Sequence, residues 1–142
     1  MMHDRVRRIW WVAVLGAVLL ASSGCTRNAE AFESFQLLNA ERAAHGVAPL
    51  ALDDRLVAKA HDWAAVMAAS GVRHSNLTEG VGGPWSRLGE NVGSASDVRA
   101  VHRLFMGSSV HRSLVLDARM TKVGTGVAVA GGRVHVVHVF GA

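Results

Sequence analysis

The sequence predicts an α/β sandwich in which helices flank a small antiparallel sheet. Two observations support this fold class. Apolar residues recur at helical spacing in two early segments, one over 31–44 and one between the Asp53-Asp54 pair and Gly71. Two β-rich runs, 123–129 and 134–140, follow near the end of the chain and are separated by Gly131-Gly132, a spacing typical of an antiparallel hairpin.

The first two helices have recognisable ends. Gly46, with Pro49 shortly after it, ends the first helix. Asp53 or Asp54 caps the second helix, and Gly71 ends it. The apolar positions of the first helix are Phe32, Phe35, Leu37 and Leu38, and those of the second are Leu56, Ala60, Trp63, Ala64 and Met67.

A strand and a third helix are predicted between these helices and the hairpin. Leu88–Val92 is compatible with a short strand. Ser96 or Asp97 then caps a helix whose apolar residues are Val98, Val101, Leu104 and Phe105. All three helices need an apolar surface to cover, and the sheet provides it.

The start of the chain indicates export. Arg5, Arg7 and Arg8 precede the uncharged run Ile9–Ala21, and small residues follow that run. A basic region, an apolar region and a small-residue cleavage site together are typical of a signal peptide. The apolar run is shorter than the ~20 residues that a membrane-spanning helix needs. Residues 1–24 are therefore interpreted as a signal peptide.

The segment Ala21-Ser22-Ser23-Gly24-Cys25 resembles the bacterial lipobox, in which the signal is cut before a cysteine that carries the lipid. Cys25 is the single cysteine of the chain, so an internal disulfide is excluded. We expect a lipid anchor at Cys25, with Thr26–Glu30 in a short polar tether (25–30) and one domain over 31–142. The alternative is simple secretion with a free thiol.

Size and charge narrow the class of protein further. Cleavage before Cys25 removes 24 of the 142 residues and leaves 118, which is the size of one domain. The net charge falls from +4 to +2, because the removed segment holds three arginines and one aspartate. No cluster of basic residues with interleaved aromatics remains, which argues against nucleic-acid binding.

Three short segments carry residues suited to a metal or acid/base site. They are His74-Ser75-Asn76, Gly89-Glu90-Asn91 and Ser108–Arg112, and their composition suggests loops. Imidazole nitrogen and carboxylate oxygen suit zinc and similar divalent ions, and histidine exchanges protons near neutral pH. Whether a site exists depends on whether the fold brings the segments together.

The chain carries six short motifs in order. They are Leu38–Arg42, Pro49–Asp53, His74-Ser75, Trp85–Val92, Phe105–Arg112 and Val123–Ala128. Together they resemble the bacterial CAP domain. This domain, also called the SCP domain, defines the superfamily of cysteine-rich secretory proteins, antigen 5 and plant pathogenesis-related proteins. The resemblance runs from about Phe35 to Phe140 and implies a three-layer α-β-α sandwich.

The resemblance also implies a cleft. His74, Glu90 and His111 correspond to three of its four site residues and would hold a divalent cation such as Zn²⁺. The fourth, acidic position falls at Ser108, so Ser108 and Asn91 are expected as neighbours of the cleft. In addition, this chain has Phe105 where the family usually has Trp, and Leu114 where bacterial members usually have Asn.

We therefore expect an extracytoplasmic binding module, lipid-anchored or secreted, whose cleft takes a metal ion or a lipid or envelope ligand. Catalytic residues are not assigned. A metal-dependent hydrolase of peptide or envelope substrates is the alternative, and a purely structural hydrogen-bond network around the cleft is a third possibility.

The remaining histidines are expected to have no part in the cleft. His45, His61 and His102 lie on predicted helices and are interpreted as solvated. His135 and His138 are an odd number of residues apart on one predicted strand, so they are expected on opposite faces of the sheet.

Overall fold

The computed structural model describes residues 22–142, with side-chain detail from Ala29 onward. Most of the predicted signal peptide and the side chain of Cys25 lie outside the described residues. The helices are α1 Ser22–Ala44, α2 Asp54–Ser70, α3 Val98–Gly107 and α4 Ser109–Val115, and the strands are β1 Ala51–Leu52, β2 Leu88–Ala95, β3 Lys122–Ala130 and β4 Arg133–Gly141. In the described part of the chain, we find no helix with the length and apolar character that crossing a membrane requires.

Helix α1 begins earlier than the apolar pattern indicates. The pattern starts at Ala31, whereas the helix starts at Ser22 and therefore includes residues 25–30. Those residues contain neither proline nor glycine, so nothing in them ends a helix once it has formed.

The four strands form one sheet in the order β1-β3-β4-β2. The predicted hairpin is confirmed: β3 and β4 are antiparallel, and both turn residues, Gly131 and Gly132, have positive φ angles of 57° and 70°. Strand β2 pairs antiparallel with β4 and forms one edge of the sheet. Strand β1 pairs parallel with β3, so the sheet is mixed.

Helix α2 covers one face of the sheet at very short range. Gly124 and Gly126 of β3 lie directly beneath it, because a Cβ atom at either position would overlap the backbone of Leu56 or Ala60. The predicted caps are confirmed: Asp53 accepts a hydrogen bond from the Arg55 amide at 3.0 Å, and α2 ends before Gly71. The core on this face comprises Leu56, Ala60, Ala64, Met67, Val81, Val92, Val137 and Val139.

Helices α1, α3 and α4 cover the opposite face, which completes a three-layer α-β-α sandwich. Leu38, Val101 and Phe105 are buried there, as predicted. Phe32 and Leu104 were also predicted to be buried, but their side chains are 53% and 57% exposed. Phe32 lies ~120° around α1 from Leu38, and Leu104 lies ~100° around α3 from Phe105, so both side chains point away from the sheet.

The motif at the end of α1 fastens this helix to two later segments. The side-chain amide of Asn39 pairs with the backbone of Leu50, donating at 3.0 Å and accepting at 2.9 Å. Arg42 is fully buried, and its guanidinium donates to four backbone carbonyls. These belong to Ala48 (2.7 Å), Val115 (2.8 Å), Asp117 (3.0 Å) and Met120 (3.3 Å).

A row of three buried polar residues crosses the sheet beneath these helices. Asn91, His138 and Thr125 are register partners on β2, β4 and β3. Each is hydrogen-bonded to a helix on the same face, so the row positions α1 and α4 over the sheet. The partners are the His111 carbonyl for Asn91 (3.0 Å), the Ser34 hydroxyl for His138 (2.6 Å) and the Ala31 carbonyl for Thr125 (2.8 Å).

Candidate functional site

Glu90 holds the loop that carries His74. Its side chain is only 1% exposed, and its carboxylate accepts three hydrogen bonds, all from His74 and Ser75. The donors are His74 Nδ1 at 2.9 Å, the Ser75 amide at 2.9 Å and the Ser75 hydroxyl at 2.6 Å. Because Nδ1 faces the carboxylate, Nε2 is the ring nitrogen of His74 that is not bonded to Glu90. That ring is 63% exposed, so Nε2 is available to a ligand.

Helix α2 fixes the same loop from the other side. The indole Nε1 of Trp63 donates to the Arg73 carbonyl at 2.8 Å, and Lys59 Nζ donates to the Asn76 carbonyl at 2.8 Å. These two bonds bracket His74, so its backbone is tied to a helix on both sides. The position of His74 is therefore well defined, although its ring faces solvent.

His111 lies in α4 and reaches the site from the other layer of helices. Asn91 Nδ2 donates to its carbonyl at 3.0 Å, and the ring of Phe105 lies against its imidazole with centroids 5.3 Å apart. Burial lowers the pKa of His111, and the electrostatic influence of His74 lowers it further. The His111 imidazole is therefore neutral at pH 7 and lies within electrostatic range of His74.

The structure changes the expected division of roles. Only His74 lies in a loop; Glu90 lies in β2 and His111 in α4, so the expectation of three loop segments is wrong for two of them. Both oxygens of Glu90 are engaged by His74 and Ser75. Among the described residues, no group of three or more His, Cys, Asp or Glu side chains is arranged to hold a metal ion. The available donors are thus two imidazoles, one of them supported by a carboxylate.

The predicted neighbours of the cleft have different environments. Ser108 separates α3 from α4, and its hydroxyl makes no capping hydrogen bond to α4. Asn91 is buried, and its Nδ2 donates to the His111 carbonyl. Leu114 packs on β2, where a Cβ atom at Gly89 would lie 2.7 Å from its Cδ1.

Ser75 is the site residue that sequence reasoning missed. It gives Glu90 two of its three hydrogen bonds, one from the backbone and one from the hydroxyl. Its position next to His74 could have predicted this role, since a residue next to a site histidine shares its loop.

The other histidines differ in burial. His45 and His61 are exposed, as expected. His102 was expected to be solvated, which is wrong: its side chain is 13% exposed, because α3 packs against α1 and its Nε2 lies 3.4 Å from Glu41 Oε2. His135 and His138 are both buried, and His138 contacts Phe105 on the α1–α3 face. The alternation of β4 places His135 on the opposite face, as predicted.

The fold and the site define a class: a three-layer sandwich with a paired histidine and glutamate at its edge strand and a second histidine from the facing helical layer. The chain matches the cysteine-rich secretory protein family, CAP, over residues 35–140. It therefore belongs to the CAP family.

Solved structures share this fold at low sequence identity. An extracellular SCP-domain protein from Bacillus anthracis has a TM-score of 0.74 at 22% identity, over 89% of this chain and 44% of that protein. An outer surface protein from Borrelia burgdorferi has a TM-score of 0.70 at 15% identity, over 80% of this chain and 92% of that protein. NaASP2, crystallised with Zn²⁺, has a TM-score of 0.65 at 15% identity, over 80% of each chain. A comparison with curated proteins found no match. The chain thus spans less than half of the Bacillus protein.

Proposed function

We propose that this protein is an extracytoplasmic binding module whose cleft binds a divalent cation, such as Zn²⁺, between His74 and His111. The observation that carries the proposal is the 2.9 Å hydrogen bond between His74 Nδ1 and Glu90. Metal-binding histidines usually donate their second nitrogen to a carboxylate, which fixes the tautomer and makes the other nitrogen a better ligand. Glu90 has this supporting role in the proposed site.

The chemistry of the donors fits such an ion. Zinc binds neutral imidazole, and the pKa of His111 is lowered, so this ring needs no deprotonation at pH 7. Two protein ligands leave further positions of a tetrahedral ion for water or for an outside ligand. A site of this kind is open and exchangeable, which suits a binding module. The crystal structure of a relative, NaASP2, with Zn²⁺ also supports the choice of ion. When bound, the ion would supply Lewis acidity to a ligand in the cleft.

The place of action is outside the cytoplasmic membrane. The basic and apolar regions before Cys25 favour export, and two structural relatives are described as an extracellular and an outer surface protein. A lipid on Cys25 would retain the domain at the membrane, because acyl chains add about 0.8 kcal/mol per buried methylene. Cys25→Ala should move the protein from the membrane fraction to the soluble fraction. Unchanged fractionation would exclude the anchor.

A zinc titration of the purified protein tests the proposed function. We expect one zinc ion per chain, and we expect His74→Ala and His111→Ala each to weaken the affinity at least tenfold. His61→Ala is the matched control, since this exposed histidine lies on α2 and is bonded to neither site residue. Equal affinity in all four proteins would reject the site. Peptide or ester turnover that vanishes in His111→Ala would instead indicate the hydrolase.

A further inference from the structure

Four rings lie in series between the core and the cleft. Phe140 and His138 are neighbours on β4, with ring centroids 5.9 Å apart. The ring of His138 lies 5.1 Å from that of Phe105, and the ring of Phe105 lies 5.3 Å from that of His111. Edge-to-face and tilted contacts of this kind fall in the favourable range of ring separations. The series ends at one of the two imidazoles of the proposed site.

The core end of the series is fixed by a hydrogen bond. His138 has no exposed surface, and its Nε2 lies 2.6 Å from the hydroxyl of Ser34, which is itself 3% exposed. Burial lowers the pKa of His138 to about 3, so the ring is neutral and packs as an aromatic group. Since Nδ1 has no hydrogen-bond partner among the described residues, Ser34 alone anchors the polar edge of this ring.

Phe105 has little freedom between the two histidines. A Cβ atom at Gly93 would lie 2.9 Å from its Cε1, so the backbone of β2 bounds the ring on one side. His138 and His111 bound it on two others. A side chain confined in this way transmits the position of one neighbour to the next, because close-packed interiors leave no space to absorb a displacement.

The cleft end depends on Phe105. The hydrogen bond from Asn91 to the His111 carbonyl fixes the backbone of α4 but leaves the side-chain torsions of His111 free. The ring contact with Phe105 restricts those torsions.

We infer that Ser34 and His138 are positioning residues for His111, acting through Phe105 to set the orientation in which its imidazole meets a divalent cation. The inference rests on the proposed function for its ligand, but the ring geometry stands independently of it. Ser34 and His138 touch no ligand themselves. Their contribution is to reduce the number of orientations that His111 samples before binding.

The test compares Ser34→Ala with a core variant of β4 on the face opposite to His138. Val137→Ala is the matched control, because Val137 is fully buried, adjacent to His138 in sequence and packed in the α2 core. We expect Ser34→Ala to shift the His111 ring-proton NMR signals, to weaken its ring contact with Phe105, and to lower zinc affinity roughly threefold to tenfold. Val137→Ala should lower stability without any of these three effects.

A double variant separates positioning from general loosening. Phe105→Leu removes the intermediate ring, so adding Ser34→Ala to it should change zinc affinity no further. Additive effects, or Ser34→Ala signals that match those of Val137→Ala, would overturn the inference. If the unsubstituted protein binds no zinc, the proposed function fails. The NMR comparison then still decides whether Ser34 positions the His111 ring.

Discussion

Glu90 supports His74 from behind: its Oε1 atom lies 2.9 Å from the Nδ1 atom of that imidazole, on the side away from the free nitrogen. Ser75 donates to the same carboxylate twice, from its amide and from its hydroxyl. In the proposed cleft, the imidazole of His74 is oriented by a carboxylate and the imidazole of His111 by a phenyl ring.

Glu90→Gln should weaken zinc binding without unfolding the protein. The amide keeps the size of the side chain, and its oxygen can still accept from His74 Nδ1 and the Ser75 amide. It carries no negative charge, however, so it no longer strengthens His74 as a metal ligand. Loss of such a supporting carboxylate typically costs about 10-fold to 100-fold in metal affinity. Calorimetric titration with zinc measures this loss of affinity. Glu79→Gln is the control, because Glu79 is exposed and bonds Asn76; equal affinities in the two variants would contradict the supporting role.

Stability should fall as the pH drops below about 6.5. The pKa of His138 is about 3 in the fold and ~6.5 in the unfolded chain, so between these values only the unfolded chain binds the proton. This difference in proton binding lowers the free energy of unfolding by about 1.4 kcal/mol per pH unit, or about 2 kcal/mol between pH 6.5 and 5. Burial also lowers the pKa values of His111 and His135, so these two groups likewise lower the stability as the pH falls.

Urea unfolding at pH 7 and pH 5 measures this loss. His138→Gln, which does not titrate, should show a shallower dependence than the unsubstituted chain. The assignment to His138 is wrong if both proteins lose the same free energy of unfolding between the two pH values.

Gly126→Ala should prevent α2 from docking. The added Cβ would overlap the backbone of Ala60, and a helix backbone cannot move aside as a flexible side chain can. We expect a loss of more than about 3 kcal/mol, or no folded protein. Gly107→Ala is the control, because nothing lies within 4 Å of its Cβ position. It should be neutral or stabilising, and thermal melts that rank the two variants equally would refute the close approach.

Arg42→Met should be strongly destabilising although it removes a charge from the core. The guanidinium donates to four carbonyls. Without it, the Asp117 carbonyl would keep the Met120 amide as a donor, whereas the carbonyls of Ala48, Val115 and Met120 would lose their side-chain donor. Unpaired buried polar groups cost about 1–3 kcal/mol each, so we expect a loss of at least 3 kcal/mol. Denaturant unfolding measures this loss. The control is Arg103→Met, because Arg103 is exposed, and this substitution should change stability by less than about 0.5 kcal/mol. Similar losses of stability in the two variants would contradict the structural role of Arg42.

The sequence predicted the elements that have strong local signals. Helix α2 between Asp53 and Gly71 and the hairpin around Gly131-Gly132 were predicted because caps and turn glycines act over a few residues. The two-residue β1 and the seven-residue α4 were not, since neither is long enough to show a period. Their formation depends on contacts with distant parts of the chain.

The sequence named His74, Glu90 and His111 as candidate residues but did not indicate how their side chains pair. Residue type suggested that the three act alike, whereas the Glu90 carboxylate is hydrogen-bonded to His74 and Ser75. Arg42 illustrates the same limit: a charged helical residue is usually solvent-exposed, and its carbonyl partners lie up to 78 positions further along the chain. Such pairings arise only from tertiary packing.

The most direct test of the account is a crystal structure of the zinc-soaked protein, with the metal located by its anomalous signal. We predict zinc at about 2.0–2.1 Å from His74 Nε2 and from a ring nitrogen of His111. Glu90 should remain hydrogen-bonded to His74 Nδ1 and should not bind the metal. Zinc bonded to a Glu90 oxygen, or absent from this cleft, would contradict the account.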